Sequence, residues 1–317
     1  MLNIRTLDLG GRRAFSHPFA EGAITVVLGR NNAGKTRLAR AVAGLDPSPP
    51  GTVFINGVDV STLSARRRRV GLVYQAFVNY PNWSAFDNIA SPMKAAGRGR
   101  GGDADEMAGT VKALADRLQI GDLLDRLPEA LSGGQQQRVA IARALAQQGD
   151  VLVMDEPLVN LDYKLREELS LQLREIVQSD GLTVLYLTSD PKDAFTLGDE
   201  VLLLCERAKL QSGAPLDVYN APVCAAAADL MSDPGVNRLD EHTLVRPEHL
   251  RLDPSAEGDA AFAAEVNSVE TSGAETFLHC RVNGADWVAR LPGMADVKAG
   301  AHVRLYAGKD DLIRLQA

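Results

Sequence analysis

The sequence predicts a parallel α/β sheet domain with a helical subdomain, followed by a small all-β barrel. Three observations carry that prediction. Short apolar, β-branched runs alternate with helical patterns through the first two thirds of the chain. The runs end at a glycine or at an acidic pair. After Gly235 the texture changes to short alternating runs broken by Gly, Asp and Asn.

Ile24 to Leu28 is a buried strand by its apolar run, and it enters a tight loop at Gly29. A helix follows from Lys35, because Leu38, Ala39, Val42 and Ala43 recur at helical spacing, and Pro47-Ser48-Pro49-Pro50-Gly51 closes the unit. Val53 to Val60 reads as strand, turn, strand. The segment from about 82 to 147 is mostly helical, interrupted by a Gly-rich linker from Gly97 to Gly102. Val151 to Met154 is a second buried strand, Tyr163 to Gln178 a charged helix, and Thr183 to Leu187 a third strand. Beyond it, Thr276 to Val282, Trp287 to Leu291 and His302 to Ala307 are the strands of the barrel or sandwich. The domains are therefore placed at 1–235 and 236–317.

A chain of 317 residues accommodates one large domain and a smaller one at about 150 residues per domain. Its 45% apolar and 24% charged composition is that of a soluble globular protein. Runs such as Val201 to Leu204 fall far short of the roughly 20 residues that span a bilayer, so if the function is transport the channel is another chain. The N-terminus lacks a secretory pattern, which predicts a cytoplasmic protein. Cys205, Cys224 and Cys280 lie far apart and read as reduced thiols. A net charge of −7 argues against a nucleic-acid partner. Arg66-Arg67-Arg68-Arg69 is the exception, read as a solvated turn or as a contact to phosphate or a partner chain.

Three motifs carry chemistry. Gly29-Arg30-Asn31-Asn32-Ala33-Gly34-Lys35-Thr36 has two glycines, four residues between them, then Lys and Thr, between a strand and a helix. Backbone N–H groups and a helix N-terminus there cradle phosphate oxygens, Lys35 reaches the terminal phosphates, and the Thr36 hydroxyl binds Mg²⁺. Asp155 and Glu156 end the strand Val151 to Met154, the position at which open α/β sheets place ligands. Asp155 is read as a Mg²⁺ ligand, and Glu156 as the residue that orients or deprotonates the attacking water. Ser132, Gly133, Gly134 and Gln135 open a further helix and offer a second anion-binding device. One chain with one phosphate loop has no need of two, so the second serves a nucleotide bound to a different chain.

The stretch Leu131-Ser132-Gly133-Gly134-Gln135-Gln136-Gln137-Arg138 resembles the signature of the ABC ATPases, and the other motifs follow that family's order. Gln75 resembles the glutamine loop, and Leu158-Val159-Asn160-Leu161-Asp162 the D-loop. Arg246-Pro247-Glu248-His249-Leu250 resembles a motif of the accessory barrel of sugar-type importer subunits. Asn79-Tyr80-Pro81, Asn88 to Met93 and Leu161 to Leu169 are similar to glycerol-type importer ATPases. The resemblance implies an ABC-type P-loop ATPase domain, with a mixed sheet core and a helical subdomain, and an OB-like barrel. It also implies ATP and Mg²⁺ as ligands, Gln75 as a sensor of the Mg²⁺ site, and Asp162 as the D-loop aspartate. Each ATP is expected between the phosphate loop of one subunit and the signature of the other.

The departures from that family are informative. A histidine is expected after the strand Thr183 to Leu187, and Leu187-Thr188-Ser189-Asp190 stands there. The five histidines, His17, His242, His249, His279 and His302, leave none in between to replace it. Ser189 donates a hydrogen bond but is a poor proton carrier. Asn32 replaces a glycine, at tolerable cost where φ is positive, and Arg37 replaces a small hydroxyl residue, so that it either adds charge at the α-phosphate or swings to solvent. Leu9-Gly10-Gly11-Arg12-Arg13 holds no aromatic for adenine. Phe15 is a candidate for that role or, with Phe19, a core residue.

The expected function is ATP-driven import of glycerol or a related polyol or sugar, at the cytoplasmic face of the membrane. The expected assembly has two transmembrane permease subunits and an extracytoplasmic solute-binding protein. A second, unlike ATPase subunit is the favoured dimer partner and a second copy the alternative, because Ser189 impairs the chain's own site while its signature is intact. A non-hydrolysing partner subunit is the competing reading. Phe77, Tyr80 and Trp83 either contact a permease helix or fill the junction to the helical subdomain.

Overall fold

Every residue of Ile24–Leu28, Val151–Asp155 and Thr183–Thr188 is buried, which is why these strands read as unbroken apolar runs and not as alternating ones. They lie in a six-stranded sheet whose order is Ala208–Gly213, Glu200–Cys205, Ile24–Leu28, Thr183–Thr188, Val151–Asp155 and Val70–Val73. Five of the strands run parallel, and only the edge strand Ala208–Gly213 is antiparallel. The computed structural model describes residues 1–76, 78–96, 103–159 and 161–315. No helix among these is long and apolar enough to cross a membrane.

A second, antiparallel sheet is built from Phe15–Phe19, Leu2–Leu7, Val53–Ile55 and Val58–Asp59. Phe15 and Phe19 are buried at 1% and 0% exposure in the core beneath the helix Lys35–Ala43, so Phe15 is a core residue and cannot stack on a base. The helical region holds Ala85–Ala95, Asp103–Arg117 and Gly133–Ala146. The Gly-rich linker lies outside the described residues.

Arg68 departs from the solvated turn that its arginine run suggests. Its guanidinium is buried and donates to the carbonyls of Ala41 at 2.5 Å and Val42 at 2.9 Å, closing the C-terminal end of the helix Lys35–Ala43. Burial lowers its pKa from the usual arginine value. Arg66, Arg67 and Arg69 are exposed.

The chain divides into two compact units, Met1–Pro215 and Leu216–Ala317. The boundary falls ahead of the one placed after residue 235, because Arg246 gathers the preceding segment into the second unit. Its buried guanidinium donates to the carbonyls of Tyr219 and Ala228 and to the Ser232 hydroxyl, and lies 3.5 Å from the Tyr219 ring centroid. Tyr219 in turn donates to Glu248 at 2.7 Å. The strands of this unit pair only antiparallel. Ala285–Pro292, Glu275–Val282, Ala260–Thr271 and His302–Ala307 form one sheet, and Asn237–Arg238, Thr243–Val245 and Leu312–Arg314 another.

Candidate functional site

Parallel pairing brings the ends of three strands together. The Gly29 N–H donates to the Thr188 carbonyl at 3.2 Å, and the Glu156 N–H to the Leu187 carbonyl at 2.8 Å. The phosphate loop, the acidic pair and the Ser189 turn are therefore neighbours at the carboxyl edge of the sheet. Within the loop Asn32 has φ +63° and Gly34 φ +103°, so the asparagine occupies the left-handed conformation that its substitution for glycine demands. A Cβ on Gly29 would lie 2.7 Å from the Leu204 carbonyl oxygen, which leaves room for nothing larger. Gly34 caps the helix Lys35–Ala43 without a side-chain hydrogen bond, leaving its first N–H groups unclaimed by a cap.

Lys35 is the centre of the site. Its ammonium donates to the Gly29 carbonyl at 2.6 Å and the Arg30 carbonyl at 3.2 Å, and it pairs with the Glu156 carboxylate at 3.1 Å. Both side chains are well buried, at 6% and 12% exposure, so the pair is poorly screened by solvent. Glu156 sits at φ +48°, a conformation that costs a residue with a Cβ about 1–2 kcal/mol. Its other carboxylate oxygen accepts from Gln75 at 3.4 Å. Asp155 is buried, which raises its pKa, while the Thr36 side chain beside it acts in the opposite direction.

A cavity of about 620 Å³ opens here, lined by Asn31 to Arg37, Leu9, Gln75, Glu156 and Arg207. Arg37 faces this cavity 3.6 Å from Asp8. Ser189 is exposed and is not part of the lining.

The second device is built differently. Ser132 caps the helix Gly133–Ala146, its hydroxyl accepting from the Gln135 N–H at 3.3 Å while the Gln135 side chain accepts from the Ser132 N–H at 3.0 Å. Ser132 and Gly133 are exposed, and none of Ser132 to Gln135 lines the cavity. Gly134 is closely approached by Leu165, since a Cβ there would lie 2.1 Å from a Leu165 methyl carbon unless that side chain turned away. Leu165 belongs to the helix Tyr163–Asp180, which Asp162 caps by accepting from the Leu165 N–H at 3.1 Å. Asn160 and Phe77 lie outside the described residues. Tyr80 and Trp83 are 47% and 44% exposed with ring centroids 4.5 Å apart, so neither is a core residue.

Arg207 is the cavity residue that motif reasoning missed. It sits in a two-residue turn, Glu206-Arg207, with no glycine or asparagine to announce it.

Comparison with known proteins gives the family. An ABC transporter family model matches residues 13–159, and a TOBE domain model matches residues 243–315. An sn-glycerol-3-phosphate import ATP-binding protein of Paracoccus denitrificans is 35% identical, over 90% of this chain and 86% of that protein. A maltose/maltodextrin import ATP-binding protein of Vibrio vulnificus is 34% identical over 90% of this chain and 85% of its own length. The dimeric structure of a bacterial ABC transporter cassette superposes with a TM-score of 0.59 at 25% identity, covering 68% of this chain and 99% of that one. The chain belongs to the ATP-binding subunits of ABC importers, in the carbohydrate-import group that carries a C-terminal TOBE domain. Its activity is ATP hydrolysis coupled to transport.

Proposed function

We propose that the chain powers import of glycerol 3-phosphate or a related polyol or sugar as one half of a nucleotide-clamping dimer at the cytoplasmic face of a membrane. The observation that carries this reading is the buried Lys35–Glu156 pair beneath the phosphate loop. An arriving γ-phosphate competes with Glu156 for Lys35. Once released, Glu156 is free to orient or deprotonate the attacking water, with Gln75 beside it. Asn31 to Arg37 would hold the remaining phosphate oxygens. The oxygen donors Thr36, Asp155 and Gln75 fit Mg²⁺, because Asp155 is a buried carboxylate whose hydroxyl neighbour is already in contact. Mg²⁺ would supply charge neutralisation at the β- and γ-phosphates.

Exposure of Ser132 and Gly133, away from the cavity, supports a role on nucleotide bound to the partner, and the exposed Asp162 is linked to them through Leu165, whose N–H donates to it and whose side chain lies against Gly134. The exposed Tyr80 and Trp83 support docking to a permease helix. Two permeases and an extracytoplasmic solute-binding protein complete the proposed assembly. Ser189, exposed and off the cavity, supports a slow site in this subunit and hence an unlike ATPase partner. The dimeric cassette among the structural relatives favours the second reading, a pair of identical chains.

Steady-state ATP hydrolysis by this chain alone, and mixed with a second import ATPase subunit, tests the assignment. Activity that needs the mixture and survives Glu156→Gln in this chain supports the unlike pair. Strong activity alone, lost with Glu156→Gln, supports the like pair and overturns the slow site. No hydrolysis in any combination overturns the whole reading.

A further inference from the structure

Among the described residues no aromatic side chain lines the cavity beside the phosphate loop, and its wall outside the loop is Leu9, Gln75, Glu156 and Arg207. Two guanidinium groups converge there on Gly10. A Cβ on Gly10 would lie 2.8 Å from a terminal nitrogen of Arg37 and 3.0 Å from one of Arg207, so both guanidinium ends lie close over the glycine. Arg207 also donates to the Gly10 carbonyl at 3.2 Å, which fixes its side chain against the cavity wall. Gly34 of the phosphate loop packs against the Cα of Arg207 and the Cβ of Leu9, each 3.5 Å from the position its own Cβ would take. Lys35 and Glu156 mark where terminal phosphates would sit, while Leu9, Arg37 and Arg207 gather at the loop's other contacts.

The backbone at Arg207 strengthens the point. Cys205 pairs with Ala208, so Glu206 and Arg207 form a two-residue hairpin turn, with φ +48° and +63°. Such turns favour Asn-Gly because both central residues need positive φ. An arginine held in that conformation, at the wall of a ligand cavity, is a strained residue placed at a functional site.

We propose that Arg207 is the base platform of the nucleotide site, its planar guanidinium stacking on the nucleobase in place of an aromatic ring, with Arg37 holding the α-phosphate beside it. The inference rests on the nucleotide reading of the cavity and adds its base-recognising residue. Guanidinium stacking uses the π-face common to all bases, so it carries little preference between them. The site then accepts ATP and GTP with similar affinity.

Calorimetric titration of the full chain with ATP, GTP and inorganic tripolyphosphate tests this. Arg207→Lys keeps the charge and removes the plane, so ATP and GTP affinities are expected to fall about fivefold or more while tripolyphosphate changes less than about twofold. Arg207→Gly relieves the turn, so its melting temperature is expected to hold or rise while the same base-dependent loss appears. Equal losses for ATP and tripolyphosphate, or no loss for either, would overturn the platform, as would a strong preference of the unaltered chain for ATP over GTP. Lys35→Ala separates the two levels. Loss of all three ligands with Lys35→Ala upholds the nucleotide site whatever Arg207 does, and binding unaffected by Lys35→Ala overturns the site itself.

Discussion

The two helix N-termini proposed to meet nucleotide phosphates are built to opposite plans. At the phosphate loop the cap is Gly34, no side chain occupies the first N–H groups, and a buried lysine paired with Glu156 stands ready to exchange partners. At the signature, Ser132 and Gln135 satisfy each other in a closed capping box, Ser132 and Gly133 are exposed, and the buried cation of that helix, Arg138, is held by the Leu118 carbonyl and Gln172. An open cap over buried charge is a place where chemistry is assembled. A closed cap on an exposed edge is a stable surface that can be offered to another molecule. The contrast supports assigning the first to this chain's own ATP and the second to its partner's.

The largest expected effect strikes the first device alone. Glu156→Gln should lower hydrolysis at this chain's own site by about 10²–10⁴-fold, the range of a lost general base, while ATP binding there tightens because Lys35 no longer has a competing carboxylate. Single-turnover hydrolysis beside equilibrium binding separates the two. If binding weakens instead, the Lys35–Glu156 pair is not what a nucleotide displaces.

A smaller change, of the opposite sign, is expected at the turn beside it. Ser189→His places a protonatable group next to the Thr188 end of the sheet and should raise the hydrolysis rate about tenfold, below the full range of acid–base catalysis. An unchanged rate would show that the turn is irrelevant to turnover, and the slow site would be withdrawn.

At the signature the expected changes are first of all in stability. Ser132→Ala opens the capping box and should cost about 1 kcal/mol in urea denaturation, with hydrolysis in the assembled dimer falling independently of that loss. Gly134→Ala presses a methyl group onto Leu165 and should cost about 1–3 kcal/mol unless the leucine rotates away.

Much of this contrast was legible in the sequence, and the reasons are local. Ile24–Leu28, Val151–Asp155 and Thr183–Thr188 announce themselves because strands buried on both faces must be apolar throughout. The phosphate loop is visible because backbone cradling needs glycine at fixed places, and Asn32 takes the left-handed conformation expected of it. What stayed hidden depends on contacts across the chain. Arg68 looked like one of four solvated arginines, yet it reaches the helix end at Ala41, which no local pattern encodes. Phe15 lies near the loop in sequence but points into the core. Arg207 is far from any motif and enters the site through a turn lacking the residues that mark turns. The segment after Pro215 joined the second unit through Arg246, a buried arginine in a motif that resemblance alone could attach to the barrel.

ATP binding to the isolated chain, measured by calorimetry for Lys35→Ala and Ser132→Arg side by side, tests most directly whether the two devices serve different nucleotides. If the signature acts only on a partner's ATP, Lys35→Ala weakens binding by about tenfold or more, the scale of a lost charge-assisted contact. Ser132→Arg then leaves binding within about twofold and abolishes only ATP-dependent association. Equal losses of binding from the two substitutions would contradict the assignment and place both devices on the same nucleotide.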